Sequence, residues 1–142
     1  VASLFGLTGP RGKGNNFVET VIKICQDNGE MTVVNDQVMS PTATIDIAHT
    51  IFKLLQSKPE PGIYNCSNTG LCSWFDFAKK IVALTGIKAK IIPTSIEAFA
   101  STVRRPKYSA LSNNKLEAVG IRMPKWKDAL QDYLLDKGHC ES

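Results

Sequence analysis

The sequence predicts an α/β domain in which short, partly parallel strands alternate with helices. Short apolar or β-branched segments recur along the 142 residues, and amphipathic stretches of about ten residues or more separate them. Gly, Pro and Asn mark most of the junctions between these segments. Such alternation is typical of sheets covered by helices, and the length fits a single domain.

The first segments are predicted to be a strand, a loop and a helix. Residues 1–5 form an apolar run before a glycine, which predicts a buried strand. The stretch 7–16 is rich in Gly, Pro, Lys and Asn and predicts a loop. A helix is expected over 17–26, because its apolar residues share one face, and Asn28-Gly29 ends it.

The middle of the chain continues the alternation. A strand is expected over 31–34 and a polar loop over 35–42. A second helix is expected over 45–56, with Thr44 as its cap, and a short strand over 63–66. The apolar face of the second helix is expected to consist of Ile47, Ala48, Ile51, Leu54 and Leu55.

The C-terminal half is predicted to contain four helices and one strand. Ser73 and Asp76 form a capping box that opens a third helix, which ends near Thr85 and Gly86. The remaining elements are expected to be a strand over 88–93, a short helix over 96–100, a helix capped by Ser112 that runs through Glu117, and a last helix over 125–136.

The composition argues against several classes of partner. The formal net charge of +4 is small and the basic residues are dispersed, so a nucleic-acid-binding surface is not expected. Arg104, Arg105 and Lys107 form the densest basic spot, which suits either an anionic small molecule or a solvated surface. The sequence contains no run of about 18 apolar residues, so we expect no membrane partner.

The cysteines favour structural roles. The four cysteines form no C-x-x-C pair and the two histidines lie far apart, so a zinc site is not expected. Cys25 and Cys66 lie in apolar stretches, where cysteine acts as a small core residue. This pattern predicts a reduced, cytoplasmic setting.

The strand at residues 1–5 predicts contacts with further protein. A buried parallel strand needs neighbours on both sides, and the sequence provides none before Val1. We therefore expect the chain to be part of a larger protein. An unpaired apolar strand also favours association, which makes a homodimer a further expectation.

Four sequence blocks occur in a fixed order. They are GKGNNFV at 12–18, VVNDQ at 33–37 followed by SPT at 40–42, GIYN at 62–65 followed by CSWFDFA at 72–78, and RRP at 104–106 followed by Ser109, Leu111 and Ser112. In this order and spacing the blocks resemble the C-terminal, substrate-binding half of the dTDP-4-dehydrorhamnose reductase family, which belongs to the extended short-chain dehydrogenases.

The resemblance implies that residues 1–142 form the C-terminal, sugar-nucleotide-binding portion of a Rossmann-type reductase. In that family an N-terminal half carries the Gly-rich dinucleotide fingerprint and a catalytic Tyr-x-x-x-Lys pair. Neither occurs here at the corresponding place, so NADPH or NADH would be bound by the absent half. This chain is then expected to contribute no catalytic, cofactor-binding or metal-binding residue. Tyr133 and Lys137 match the pair's spacing, but a packing role at a helix end is expected for them.

Arginine and asparagine residues are the candidates for binding the diphosphate and sugar. A guanidinium matches phosphate oxygens, so Arg104 and Arg105 are a candidate diphosphate clamp, with a surface ion pair as the alternative. Asn15 and Asn16 precede the first helix, where backbone N–H groups favour anions and side chains can reach sugar hydroxyls. Ordinary N-capping is the alternative for this pair.

Two further segments are candidates through the resemblance. Val33 and Gln37 bound the segment that lines the nucleotide-base pocket in related reductases; the alternative is a structural edge. Many family members carry a substrate-contacting Trp where Ser3 stands, and serine cannot fill that space. Trp74 is expected to pack on the domain body, with base stacking as the alternative.

The implied reaction is the reduction of a dTDP-4-keto-6-deoxysugar in dTDP-rhamnose biosynthesis, with a dTDP-hexose as substrate. Two other functions stay open. One is a non-catalytic regulatory subunit on the same scaffold, and the other is a different extended short-chain enzyme, such as an epimerase or dehydratase. The polar residues Asn15, Asn16, Arg104 and Arg105 favour the reductase over a regulator, and the order of the four blocks disfavours the epimerase or dehydratase.

Overall fold

The computed structural model describes residues 1–7, 16–98 and 105–141. Helices alternate with short strands in this part of the chain, which confirms the expected α/β class. The elements are β1 (Leu4–Phe5), α1 (Phe17–Asn28), β2 (Glu30–Val34), β3 (Val38–Met39), β4 (Thr42–Ala43), α2 (Thr44–Gln56), β5 (Cys72–Ser73), α3 (Trp74–Thr85), β6 (Lys90–Thr94), α4 (Asn114–Ala118) and α5 (Trp126–Asp136).

The strands form three pairs. β1 lies parallel to β4, β2 lies parallel to β6 over five residues, and β3 lies antiparallel to β5. The expectation of a partly parallel arrangement is therefore confirmed. β3, β4 and β5 were not predicted, because two residues are too few to show an alternating pattern.

Local capping rules place α1 and α3 as the sequence predicts. The Asn16 side chain accepts a hydrogen bond from the Glu19 N–H at 3.2 Å, and α1 ends at Gly29 with a φ of 71°. The capping box is confirmed: Ser73 Oγ accepts from the Asp76 N–H at 3.0 Å, and the Asp76 carboxylate accepts from the Ser73 N–H at 3.3 Å. Both helices therefore begin where a side chain satisfies free backbone N–H groups.

The predicted start and buried face of α2 are partly wrong. Thr44 is the first helical residue, and its cap is Ala43, which makes no side-chain hydrogen bond. The Thr44 side chain packs against Gly6 instead, where a Cβ would clash with it. Ile47 and Leu54 pack on a small core cluster, as expected. Ile51 and Leu55, however, are 51% and 71% exposed.

The predicted strand over 63–66 is wrong. Ile63 is 81% exposed, and the segment has no strand pairing. The chain beyond it is held by a side chain rather than by a strand: Asn113 accepts from the Ser67 N–H at 3.1 Å and donates to the Ser67 carbonyl at 2.6 Å. A side-chain amide therefore satisfies the backbone groups that a neighbouring strand would otherwise satisfy.

Three smaller predictions are also revised. The strand expected over 1–5 comprises Leu4 and Phe5, and only Phe5 of these two is buried. Of the helix expected over 96–100, residues 96–98 form a turn, and the remainder lies outside the described residues. The Ser112 hydroxyl does accept from the Asn114 N–H at 3.3 Å, but the cap residue of α4 is Asn113.

The core joins α1, α3 and α5. Phe77 is 1% exposed, and its ring lies 5.7 Å from that of Phe5, 5.8 Å from that of Phe17 and 5.7 Å from that of Trp126. The expected burial of Cys25 and Cys66 is confirmed. None of the helices in the described ranges is both long and apolar enough to cross a membrane.

Candidate functional site

A cavity of about 170 Å³ opens where β2 ends. Because β2 and β6 are parallel, their carboxyl ends lie at the same edge, where loops deliver side chains from several elements. The cavity is lined by residues of β2 and its following loop, of the starts of α1 and α3, and of two later segments: Phe17, Met31, Thr32, Val33, Val34, Gln37, Trp74, Ile96 and Arg105.

Two aromatic rings form one wall of this cavity. Phe17 and Trp74 meet edge to face, with their ring centroids 4.6 Å apart, and Phe17 also stacks on the buried Phe77. Trp74 thus packs on the domain body, as expected, while it also lines the cavity. The wall is held by the core, so it is preformed for a flat apolar ligand group.

Three of the predicted substrate-binding residues come together at the cavity. Val33 and Gln37 are 4% and 6% exposed, and Arg105 is exposed at the rim. The Gln37 amide donates a hydrogen bond to the Pro106 carbonyl at 3.3 Å. The rim therefore places a guanidinium next to an apolar cavity, a combination that suits a ligand with a ring and an anionic group.

The other candidates lie apart from the cavity or outside the described residues. Asn15 and Arg104 are outside the described ranges. Ser3 is half-buried with a φ of 54°, and its carbonyl accepts from the Thr42 N–H at 3.0 Å. Neither Ser3 nor Asn16 lines the cavity. Substrate binding by these four residues stays a prediction.

The side chain of Asn16 is engaged within the protein. Its amide donates to the Gly6 carbonyl and to the Tyr133 hydroxyl, each at 3.0 Å, and its oxygen caps α1 through the Glu19 N–H. These contacts agree with the N-capping alternative. They also give Asn16 a structural role that a local sequence pattern could not reveal, since its partner Tyr133 is 117 residues away.

Glu19 is the centre of a polar network near the end of the chain. Its carboxylate accepts from the Tyr133 hydroxyl at 2.6 Å and lies 3.0 Å from His139 Nε2. Burial acts to raise the pKa of Glu19, but the hydrogen bonds from Tyr133 and His139 outweigh it and lower that pKa below its ordinary value. Burial and the neighbouring carboxylate raise the pKa of Tyr133.

This geometry agrees with the packing role expected for Tyr133. Its side chain is 4% exposed in the core, and its hydroxyl is bonded to Glu19 and Asn16. A tyrosine that serves as a proton donor in catalysis benefits from a lowered pKa near the working pH, whereas the pKa of Tyr133 is raised. The burial and hydrogen bonds of Tyr133 therefore favour the packing role over a catalytic one.

Replacing Tyr133 by phenylalanine is expected to lower the free energy of unfolding at pH 7 by about 1.5–3 kcal/mol, because a hydrogen bond to a charged group is lost. A lowered carboxyl pKa contributes stability above the ordinary pKa of 4.5, and this contribution is lost as the pH falls through the folded-state pKa. The difference between parent and variant should therefore shrink in acid below about pH 4.5. Urea denaturation across pH measures both effects.

Tyr64→Phe is the matched control for that substitution. The Tyr64 hydroxyl donates to the Glu60 carbonyl in an exposed contact, so its removal should change stability by about 0.5 kcal/mol or less. Two results would contradict a contribution of the Glu19 network to stability. One is an equal loss of unfolding free energy in Tyr133→Phe and Tyr64→Phe, and the other is a loss in Tyr133→Phe that does not depend on pH.

Comparison with known proteins places the chain in a family. Residues 1–138 match the family model described as the RmlD substrate binding domain. The chain is 43% identical over 124 residues to the spore coat polysaccharide biosynthesis protein SpsK of Bacillus subtilis, covering 87% of this chain and 43% of that protein. It is 32% identical over 123 residues to the dTDP-4-dehydrorhamnose reductase of Mycolicibacterium smegmatis, covering 85% and 38%. The chain thus spans less than half the length of these relatives.

Solved structures agree with this placement. The dTDP-4-dehydrorhamnose reductase of Bacillus anthracis, solved in complex with NADP, superposes with a TM-score of 0.86 at 39% identity, over 94% of this chain and 46% of that one. The Clostridium acetobutylicum enzyme gives the same TM-score and identity over 96% and 47%. A Bacillus anthracis dTDP-glucose 4,6-dehydratase, at 12% identity and a TM-score of 0.65, shares the fold. The chain therefore belongs to the RmlD substrate-binding domain family.

Proposed function

We propose that this chain is the substrate-binding part of an NAD(P)H-dependent reductase that acts on a dTDP-4-keto-6-deoxysugar, in dTDP-rhamnose biosynthesis. The observation that carries the proposal is the cavity at the end of β2. There Val33, Gln37 and Arg105, three of the substrate-binding residues predicted from the sequence, come together. The family match over residues 1–138 supports the same assignment.

The chemistry of the cavity suits the nucleotide end of such a substrate. The aromatic wall of Phe17 and Trp74 can contact the face of a thymine base. Arg105 at the rim can form paired charged hydrogen bonds with a diphosphate. The cavity holds about 170 Å³, less than the roughly 300 Å³ or more of a complete ligand pocket, so it fits part of the sugar nucleotide.

The hydride chemistry belongs to a separate N-terminal half in this proposal. That half would carry the Gly-rich fingerprint and the Tyr-x-x-x-Lys pair and would bind NADPH or NADH, while residues 1–142 form the C-terminal domain. Support comes from the relatives, less than half of whose length this chain spans. A small-molecule reductase of this kind would need no nucleic acid or membrane partner, and its cytoplasmic location stays a prediction.

Exposed apolar residues on α2 support contact with further protein. Ile45, Ile51, Phe52 and Leu55 are all more than half exposed, and their helical spacing places them on one face. Exposed apolar patches of this kind mark protein contacts. The proposed N-terminal half would cover this face in the full-length protein, and a homodimer stays a prediction.

Replacing Arg105 by lysine in the full-length protein is expected to weaken dTDP binding by about tenfold or more. Lysine keeps the charge but cannot form the two parallel hydrogen bonds of a guanidinium, and charged hydrogen bonds contribute about 1.5–3 kcal/mol. NADPH binding should stay nearly unchanged, because its proposed site lies in the other half. Calorimetric titration of dTDP and of NADPH measures both affinities.

Arg122→Lys is the matched control, because Arg122 is exposed and does not line the cavity. Arg104→Lys is titrated alongside, since the sequence does not separate the two neighbouring arginines. If both Arg104→Lys and Arg105→Lys bind dTDP as tightly as the parent, the diphosphate clamp is wrong.

A further inference from the structure

Three consecutive side chains after β2 reach three separate segments of the chain. The Asn35 amide oxygen accepts from the Ser73 hydroxyl at 2.9 Å. The Asp36 carboxylate accepts from the Ile96 N–H at 3.0 Å. The Gln37 amide donates to the Pro106 carbonyl at 3.3 Å. Each contact spans at least 38 residues of sequence, so the tripeptide joins elements that local structure does not join.

Each of the three residues that the tripeptide contacts either lines the cavity or is the sequence neighbour of a residue that lines it. Ser73 directly precedes Trp74, Ile96 lines the cavity itself, and Pro106 directly follows Arg105. The tripeptide therefore sets the positions of three of the surfaces that surround the cavity. Gln37 is the member that also lines the cavity, and it is 6% exposed.

Backbone hydrogen bonds beside Gln37 reinforce its contact with Pro106. The Val38 N–H donates to the Lys107 carbonyl at 2.8 Å, and the Ser109 N–H donates to the Val38 carbonyl at 2.9 Å. The segment after Arg105 thus runs beside Val38 as a short parallel bridge. These bonds hold the backbone of residues 107–109 in place. The Gln37 side chain adds a contact to Pro106, so the held segment begins directly after Arg105.

We infer that Gln37 is a positioning residue: it holds the backbone next to Arg105 so that the guanidinium points to the diphosphate of the bound nucleotide. Arg105 is exposed at the rim, so its direction depends on its backbone more than on packing. Ordering the backbone before binding reduces the entropy that binding must offset. The inference rests on the proposed function, since it assumes that a nucleoside diphosphate occupies the cavity.

A double-mutant cycle in the full-length protein tests this inference. Gln37→Met keeps the length of the side chain, adds no charge and removes the amide donor. dTDP and thymidine are titrated into the parent, Gln37→Met, Arg105→Lys and the double variant. Thymidine lacks phosphate, so it reports on the base pocket alone.

Gln37→Met is expected to weaken dTDP binding about threefold to tenfold, the equivalent of one neutral hydrogen bond, and to change thymidine binding by less than about twofold, because thymidine has no diphosphate for Arg105 to bind. In the Arg105→Lys background the same substitution should change dTDP affinity by less than about twofold. Thr69→Val is the matched control, because the Thr69 hydroxyl also donates to a proline carbonyl, that of Pro124, away from the cavity. It should leave both affinities unchanged.

Other results would overturn the inference. Equal loss of dTDP and thymidine binding in Gln37→Met would mean that Gln37 supports the pocket in general. Losses that multiply in the double variant would mean that it acts independently of Arg105. If the parent binds no dTDP, the proposed function itself is wrong. If the parent binds dTDP and the Gln37→Met variant binds it equally tightly, only the positioning role is wrong.

Discussion

Replacing Phe77 by alanine is expected to lower the free energy of unfolding of this chain by about 3–5 kcal/mol, as removal of a buried aromatic ring commonly does. Phe77 is 1% exposed and contacts the rings of Phe5, Phe17 and Trp126. The substitution would leave a cavity between β1, α1 and α5. Urea denaturation of the parent and the variant measures the loss.

Phe52→Ala is the control, because it removes the same ring from a position that is 63% exposed on α2. The expected change in the isolated chain is about 0.5 kcal/mol or less. Comparable losses at Phe52 and Phe77 would contradict the assignment of the core. Since Phe17 stacks on Phe77 and forms part of the cavity wall, the same core also supports the candidate site.

Helices with local signals were predictable from the sequence. The capping box at Ser73 and Asp76 and the glycine after Asn28 act through neighbouring residues, so the pattern alone fixes the ends of α3 and α1. The parallel pairing of β2 with β6 follows the expected alternation of strands and helices. These features need no information about distant parts of the chain.

Features that depend on distant partners were not predictable. The segment at 63–66 has the composition of a strand, but the amide of Asn113 occupies the neighbouring backbone groups at Ser67. Apolar residues lie on two sides of α2, and the pattern could not show that Leu54 packs on the core while Leu55 faces solvent. Tertiary contacts decide between such alternatives.

Only part of the candidate site was predictable, because some of its contacts also join distant parts of the chain. Val33 and Gln37 are candidates through the resemblance and Arg105 is one because its guanidinium matches phosphate oxygens, and the three residues meet at one cavity. The sequence did not indicate that Phe17 lines this cavity as well as the core, nor that Gln37 contacts Pro106, 69 residues away. The position of Asn16 before α1 makes it a candidate for sugar binding, but its side chain donates hydrogen bonds to Gly6 and Tyr133.

This chain alone is expected to show no reductase activity. A reductase needs a bound nicotinamide cofactor and a proton donor, and in the proposed function both the cofactor site and the catalytic pair lie in the N-terminal half. Tyr133, which has the spacing of the catalytic pair, is bonded to Glu19 in the core. The expected effect is complete loss of activity rather than a reduced rate, because this domain would supply positioning and not the chemical step.

A coupled NADPH-oxidation assay with a dTDP-4-keto-6-deoxysugar, run side by side on this 142-residue chain and on the full-length protein, tests the central claim most directly. The account predicts turnover by the full-length protein at roughly 1 per second or faster and no oxidation above background by the chain alone. Turnover by the chain at a comparable rate would contradict the division between substrate binding and chemistry, and an inactive full-length protein would contradict the reductase assignment.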